Sequence, residues 1–391
     1  MEDIQREAFF QFLAQHYFVA LRRYAESQGI VLIGDLPAYS AHGSADVWAN
    51  RDVFELAPDG QRTIVAGTPP DVFDPHGQAW NHPMYRWDSP STVEFHTRRF
   101  ARIRRLYGRG FLRDDHIIGR ITPWGFPFGS PPADGSRVRG RFLGNPLFDA
   151  MFARVPGLQQ SLIGEDLGVV TEETTLLMQH YQLFGMRVLQ FIPFHAGQAA
   201  VDADMYAPGN YSDRNLVLLG THDTPTIREW WRDHLDETGR HEVGVYLRRA
   251  TGQDVAVTDD SIARVMTEFA AQQSAHMVLH QMPDLLAGPD GSIGLVNARM
   301  NDPSLGDDGA GWKANWSWRM APDAFDQRTM NRLRMLTVAA RRTPELAVQR
   351  LAPVPATAAE VLLACAVLRR HVTEGAEIAG RLEELARSGR I

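Results

Sequence analysis

The sequence FLRDDH at residues 111–116 is a short apolar run that ends in a charged cluster. The same order recurs in LIGED at 162–166 and in LVLLGTHD at 216–223. Three more apolar runs have a similar length, namely IVLI at 30–33 before Gly34-Asp35, MRVLQFI at 186–192 and MVL at 277–279. Short, nearly continuous apolar runs are typical of parallel strands that are covered on both faces. We therefore predict six parallel strands.

Segments with helical spacing of apolar residues lie between these runs. They are 4–27, 92–107, 146–154, 171–184, 226–235 and 261–274. Strands that alternate with helices, each strand ending in polar residues, are typical of a (β/α) barrel, where the chemistry lies at the carboxyl ends of the strands. The predicted fold class is therefore α/β.

Two further segments and the strand count complete this prediction. Segment 40–91 is rich in Gly, Pro and Trp, and long loops on a barrel usually form the binding cleft. Residues 1–343 are assigned to a catalytic barrel that includes this segment, and 344–391 to an extension with a helical pattern at 355–388. Eight strands close such a barrel. Because the chain starts in a helix that should lie between strands, the first two strands are expected to be missing.

Composition excludes several other classes of protein. The 391 residues are 44% apolar and carry a formal net charge of -7, which argues against nucleic acid or an anionic membrane as partner. Cys365 is the only cysteine, so neither a disulfide framework nor a thiolate metal site is expected. No run approaches the roughly 20 apolar residues of a membrane span, and the start lacks a signal-peptide layout. A cytoplasmic protein without a cofactor is expected, and the oligomeric state stays open.

Four acids follow predicted strands, namely Asp35, Asp115, Glu165 and Asp223. Glycoside chemistry needs two carboxyl groups, which lie about 5–5.5 Å apart in a retaining enzyme. Taken alone, an acid at a strand end is more often a helix cap or a solvated loop residue. The interpretation as an active site depends on the four acids together.

The neighbours of these acids suggest different roles. Arg113 lies two residues before Asp115, hence on the same side of a strand, and a cation there favours the ionised carboxylate that a nucleophile requires. Glu165 ends an apolar run, where partial loss of hydration favours the protonated form of a general acid. His222 precedes Asp223, and the pair could bind two sugar hydroxyls.

The chain resembles the amylomaltases, or 4-α-glucanotransferases, which are relatives of the α-amylases. The resemblance covers residues 1 to about 343 and consists of motifs in the same order as in the family. They are GIVLIGDLPAYSAHGSADVWAN at 29–50, VAGTPPDVFDPHGQAWNHPMYRWD at 65–88, RDDHIIG at 113–119, GEDLGVVTEE at 164–173, MRVLQF at 186–191, GTHD at 220–223, ARMNDP at 298–303 and NWSWR at 315–319. This resemblance implies a (β/α)8 barrel of the α-amylase clan type.

The resemblance also implies a role for each matching residue. Asp115 would be the nucleophile, Glu165 the acid/base and Asp223 the transition-state stabiliser. Seven further residues would bind the sugar or hold the nucleophile, namely Asp35, Phe73, Trp80, Arg113, Asp166, His222 and Asn301. The implied partners are malto-oligosaccharides and α-1,4-glucans, which the enzyme would disproportionate through a glycosyl ester on Asp115.

Other interpretations of these residues remain open. An α-glucan hydrolase of the same clan would use the same carboxylates, and an inactive truncated remnant would at most bind glucan. His76, His82 and His96 match no compact set of metal ligands, so no metal site is predicted. The arginines between 98 and 109 alternate with apolar residues at helical spacing, which indicates a solvated helix face rather than a nucleic-acid site.

Overall fold

The computed structural model describes residues 2–70, 75–196, 198–252, 256–288, 292–303 and 315–340. The chain divides into two compact units, Met1–Met186 and Arg187–Ile391. Phe73 and the predicted helical tail at 355–388 lie outside the described residues. The assignment of 1–343 to one domain and 344–391 to an extension therefore stays a prediction.

The strands and helices of the first unit follow the predicted alternation. Its strands are β1 (Ile33–Leu36), β2 (Ile64–Gly67), β3 (Ala79–Pro83), β4 (Phe111–Asp114), β5 (Trp124–Pro127), β6 (Ser136–Arg137), β7 (Leu162–Gly164) and the start of β8 (Phe184–Val188). Its helices are α1 (Glu2–Ser27), α2 (Ala45–Ala49), α3 (Pro90–Tyr107), α4 (Asn145–Arg154), α5 (Leu158–Ser161) and α6 (Glu172–Tyr181). β1, β4, β7 and β8 pair in parallel in that order.

The excursion that follows β1 contains regular structure. β2 pairs antiparallel with β3 and with β5, and β5 pairs antiparallel with β6. This second, four-stranded sheet has the order β3-β2-β5-β6. Two of its strands, β2 and β3, belong to the predicted cleft segment 40–91.

The second unit continues the alternation of helices and strands. Its elements are α7 (Gln198–Ala203), β9 (Asn215–Leu218), α8 (Ile227–Glu229), α9 (Glu237–Thr251), α10 (Ile262–Ala271), β10 (Met277–Leu279), α11 (Met282–Leu285) and α12 (Gln327–Ala339). β9 and β10 pair in parallel. A π-helical segment, Trp230–His234, follows α8 directly.

All six predicted strands exist, although several boundaries differ from the prediction. β1 begins at Ile33 rather than Ile30, and Ile30 and Val31 are exposed. β8 already begins at Phe184, so α6 ends at Tyr181, and a 3-10 turn over Leu189–Phe191 follows the strand. Within the described residues, no helix combines the length and the apolar character that crossing a membrane requires.

Alternation along β4 creates the two environments that matter for function. Leu112 and Asp114 are fully buried, whereas Phe111 and Arg113 project to the opposite face and stay partly exposed. α3 packs against β1 and β4. The strand therefore places Asp114 in the protein interior and Arg113 on the opposite face.

Candidate active site

The register between β1 and β4 puts an aspartate beside an arginine. Asp35 pairs with Arg113 in the parallel sheet. Because paired residues on adjacent strands project to the same face, their side chains meet. Nη1 of Arg113 donates to both carboxylate oxygens of Asp35, at 2.7 and 2.9 Å.

Arg113 also contacts the two carboxylates that follow β4 and β7. Its Nη1 donates to Oδ1 of Asp115 at 2.8 Å, and its Nη2 lies 3.7 Å from Oε2 of Glu165. The side chains of Arg113, Asp115 and Glu165 are 11%, 38% and 13% exposed. One largely buried cation therefore holds an accessible carboxylate and a largely buried one next to each other.

Backbone hydrogen bonds continue past the strand ends and fix both acids. The amide of Asp115 donates to the carbonyl of Leu36 at 3.1 Å, and the amide of Glu165 donates to the carbonyl of Asp114 at 3.0 Å. Gly164 leaves room for the side chain of Ile117 beside the end of β7, because a Cβ at position 164 would lie 2.7 Å from Cδ1 of Ile117. These two bonds extend the hydrogen-bonding pattern of the sheet to the residue that follows each strand.

His116 makes the turn that follows Asp115. Its φ of 45° lies in the left-handed region, which costs a non-glycine residue roughly 1–2 kcal/mol. The amide of His116 donates to Oε2 of Glu165 at 2.5 Å, so this turn ties the residue after Asp115 to the second acid. Burial lowers the pKa of the His116 imidazole to about 4, with repulsion from Arg120 and Arg113 acting in the same direction and attraction to Asp115 opposing it.

Arg113 stays positively charged in this environment. Burial alone would lower the pKa of its guanidinium, but the charges of Glu165, Asp115 and Asp35 outweigh burial and raise it. The cation is therefore a permanent element of the cluster.

An aromatic side chain from the excursion lies next to this cluster. The ring of Trp80 on β3 packs edge-on against the ring of His116, with 4.8 Å between centroids, and lies 5.8 Å from the ring of Tyr39. Its indole Nε1 donates to Gln78 at 3.0 Å. The antiparallel sheet thus brings the predicted glucose platform to the residue that follows the predicted nucleophile.

Asp166 faces the backbone of the neighbouring strand. It is buried, and its Oδ1 accepts a hydrogen bond of 2.6 Å from the amide of Met186. This contact helps to join the end of β7 to β8. The predicted sugar contact of Asp166 stays a prediction.

In the second unit, a closed turn presents His222 and Asp223 after β9. Oγ1 of Thr224 accepts from the amide of Thr221 at 2.9 Å and donates to the Thr221 carbonyl at 3.1 Å. Glycine is required at position 220, because a Cβ there would lie 2.3 Å from the same hydroxyl oxygen. The motif GTHD followed by threonine therefore encodes a rigid turn.

Asp223 is oriented by three side chains of this unit. Nδ2 of Asn301 donates to its Oδ1 at 2.6 Å, and Nε2 of His222 lies 3.2 Å from its Oδ2. Arg299 donates to its backbone carbonyl. The amide of Asn301 in turn donates to the carbonyl of His222 at 3.0 Å. The three predicted residues of this unit, His222, Asp223 and Asn301, lie together.

Sequence reasoning missed the contributions of Arg299 and of the backbone of His116. Arg299 donates through Nε to the carbonyl of Asn301 at 2.7 Å, and the Trp316 ring lies 5.1 Å from the His222 ring. The motif ARMNDP contains Arg299, so this residue could have been named. The part played by the His116 amide could not be read from the sequence, because every residue except proline has a backbone N–H group. In the part of the chain that the structure describes, no group of three or more His, Cys, Asp or Glu residues could hold a metal ion.

Alternating helices and parallel strands, with acids at the strand ends, place this chain in the class of (β/α)-barrel proteins. A family model described as 4-alpha-glucanotransferase matches residues 1–325. The chain belongs to this 4-alpha-glucanotransferase family. The family assignment from the sequence motifs is thereby confirmed.

Individual relatives agree with the assignment. The chain is 35% identical over 323 residues to the chloroplastic/amyloplastic 4-alpha-glucanotransferase of Solanum tuberosum, covering 81% of this chain and 50% of the relative. It is 33% identical to the 4-alpha-glucanotransferase of Aquifex aeolicus, covering 81% and 59% of the two chains. With the Thermus thermophilus enzyme it shares 32% identity, with 87% and 64% covered. The chain thus spans about half to two thirds of the length of these relatives.

Solved structures confirm the barrel class. The amylomaltase from Streptococcus agalactiae in complex with acarbose matches with a TM-score of 0.70 at 25% identity, over 84% of this chain and 61% of that one. The amylomaltase from Corynebacterium glutamicum matches with a TM-score of 0.62 at 18% identity, over 79% and 45% of the chains. The second similarity concerns the fold alone.

Proposed function

We propose that this protein is a 4-α-glucanotransferase that moves α-1,4-glucan segments between malto-oligosaccharides by a retaining double displacement. The observation that carries the proposal is the shared contact of Arg113 with Asp115 and Glu165, at 2.8 and 3.7 Å. Family membership supports the same reaction. A retaining mechanism needs two neighbouring carboxyl groups of this kind.

Asp115 is the nucleophile in this proposal. It is the more exposed of the two acids, and its Oδ1 is oriented by Arg113. Attack of a carboxylate oxygen on C1 of a glucosyl unit forms an ester, and the bond to the leaving 4-oxygen breaks. The 4-hydroxyl of a second glucan then attacks C1, which restores the α-linkage and releases Asp115.

Glu165 donates the proton to the leaving oxygen and takes one from the incoming hydroxyl. Its Oε2 faces two donors, the amide of His116 and Nη2 of Arg113. A proton on Oε2 would point at these two donors, neither of which can accept a hydrogen bond. The transferable proton therefore belongs on Oε1.

Asp223 stabilises the positive charge that develops on the sugar ring. Asn301 and His222 hold both of its oxygens, which keeps the carboxylate in a fixed orientation within the second unit. Preorganised charge of this kind is a major source of catalysis. The sequence motif GTHD supports this role.

The remaining predicted residues bind the glucan. Trp80 offers an aromatic face for a glucose ring, and Asp35, His222, Asn301 and Asp166 bind hydroxyl groups. Phe73 is proposed as a second platform on the motif alone. Acarbose bound to the Streptococcus agalactiae amylomaltase supports an oligosaccharide ligand, and a cytoplasmic location stays a prediction.

Maltotriose labelled at its reducing end distinguishes transfer from hydrolysis. A transferase converts it into glucose together with labelled oligomers longer than three units, whereas a hydrolase yields only shorter products. The Asp115→Asn variant serves as the inactive control. Absence of longer oligomers over a range of maltotriose concentrations would exclude the proposed transfer.

A further inference from the structure

A buried ion pair lies behind the predicted nucleophile. Asp114 and Arg120 are 0% and 1% exposed, and Nη2 of Arg120 lies 3.1 Å from Oδ1 of Asp114. Arg120 is the only cation within salt-bridge distance of this carboxylate among the described residues. Neither oxygen of Asp114 makes a hydrogen bond there. The pair is therefore held mainly by charge.

This ion pair closes a short segment of chain. We call residues 114–120 the nucleophile loop, because Asp115 and His116 lie between its charged ends. Inside it, the amide of Gly119 donates to the carbonyl of His116 at 2.8 Å, and a 3-10 turn covers Ile117–Arg120. The buried side chain of Ile117 contacts the end of β7 at Gly164.

The ion pair is buried beneath α3, which contributes an aromatic ring to its surroundings. The guanidinium of Arg120 lies 5.4 Å from the ring centroid of the buried Phe100. Burial raises the pKa of Asp114 to about 6, and the nearby charge of Asp115 also raises it, whereas Arg120, Arg99 and Arg113 lower it. Arg120 is the nearest of the three cations that favour the ionised form of Asp114.

We propose that Asp114 and Arg120 are positioning residues, whose ion pair fixes the nucleophile loop so that Asp115 and the His116 amide keep their geometry relative to Glu165. The inference rests on the proposed function of Asp115 and Glu165. Both ends of the loop are needed for this effect: Asp114 continues β4, and Arg120 ends the turn that carries His116.

The known energetics of buried ion pairs allow an experiment to distinguish a positioning role of this pair from a purely stabilising one. Replacing such a pair with apolar residues of similar volume is often neutral for stability, whereas removing one partner is strongly destabilising. The double variant Asp114→Leu/Arg120→Met therefore removes the link without leaving an unpaired buried charge. Arg120→Met alone leaves Asp114 unpaired.

The experiment compares the full-length wild type, both variants and a matched control. Arg154→Met is the control, since it removes an arginine that forms an exposed ion pair with Glu94 in the same unit. Thermal melting reports stability, and hydrogen exchange of a peptide covering 115–119 reports the loop. The rates of maltotriose disproportionation give kcat and KM.

We expect the double variant to melt close to the wild type, but to exchange the amides of 115–119 about tenfold faster or more. Its kcat should fall about 10²-fold with little change in KM, because small displacements of reacting groups are costly. Arg120→Met should show the same loop exchange with a lower melting temperature. Arg154→Met should match the wild type in every measurement.

Two outcomes would overturn the inference. One is a double variant whose loop exchange and kcat equal those of the wild type. The other is faster exchange spread evenly over the first unit, which would assign the pair a purely structural function. Failure of the proposed function gives a different result. The wild type itself then produces no oligomers longer than maltotriose, while the exchange measurement still reports on the loop.

Discussion

The substitution Glu165→Gln removes the transferable proton and retains the shape of the side chain. The carbonyl oxygen of glutamine can accept the hydrogen bond of the His116 amide that Oε2 accepts at 2.5 Å. The amide nitrogen then occupies the position of Oε1, where the proposal places the proton. Because shape and contacts are retained, the fold and the position of Arg113 should not change.

The expected loss follows from the role of a general acid. Proton transfer by a positioned side chain contributes about 10²–10⁴-fold, which corresponds to roughly 3–5.5 kcal/mol of transition-state stabilisation. Loss of this stabilisation should lower kcat on maltotriose by that factor. KM should change little, because the glutamine keeps the contacts that orient the site.

A substrate with a better leaving group provides the decisive assay. Fluoride leaves without a proton, so formation of the ester from an α-glucosyl or α-maltosyl fluoride should be nearly as fast in Glu165→Gln as in the wild type. Release of fluoride in single turnover measures this step, and Glu94→Gln, on the exposed face of α3, is the matched control. The assigned role is refuted if the variant loses as much rate on the fluoride as on maltotriose. Normal turnover of maltotriose would refute it equally.

Two further predictions concern charge. Arg113→Lys retains the charge but cannot contact Asp35, Asp115 and Glu165 at once, so kcat should fall roughly 10–10²-fold with a nearly unchanged melting temperature. A kcat within threefold of the wild type would argue against the central role of Arg113. The substitution Arg137→Lys, at an exposed arginine, is the control. Burial raises the pKa of Asp284 from 3.8 to about 7, partly opposed by the Ile227 amide. The folded state then binds the proton more tightly than the unfolded state, so stability falls as pH rises from about 4 to 7, by up to roughly 4 kcal/mol. Asp284→Asn should reduce this fall in urea unfolding at pH 5 and pH 8, and an equal fall in both proteins would contradict the assignment.

The parallel strands were predictable because each is a short apolar run between helical segments. β10 was predicted with the boundaries that the structure shows, and β4 with its polar end. The predicted start of β1 was three residues too early, because Ile30 and Val31 satisfy the apolar pattern without being buried. The antiparallel sheet was missed because its strands β2, β3, β5 and β6 are only two to five residues long and lie in segments rich in Gly and Pro.

The site was predictable where it depends on spacing within one strand. Arg113 and Asp115 lie two residues apart, and their contact at 2.8 Å follows from alternation along β4. The contact of Asp35 with Arg113 depends on the register between two strands that are 78 residues apart, which no local pattern specifies. The amide of His116 and the buried pair of Asp114 and Arg120 required coordinates, because a run of charged residues does not show which of them faces inward.

Trapping the glycosyl ester tests the central claim most directly. Glu165→Gln lacks the base that activates the acceptor, so an α-maltosyl fluoride should load the protein faster than the ester is removed. Mass spectrometry of the digested protein should then find the added sugar on the peptide that contains Asp115, and Asp115→Asn in the same background should remain unlabelled. An adduct on another residue, or labelling that persists without the Asp115 carboxylate, would contradict the account.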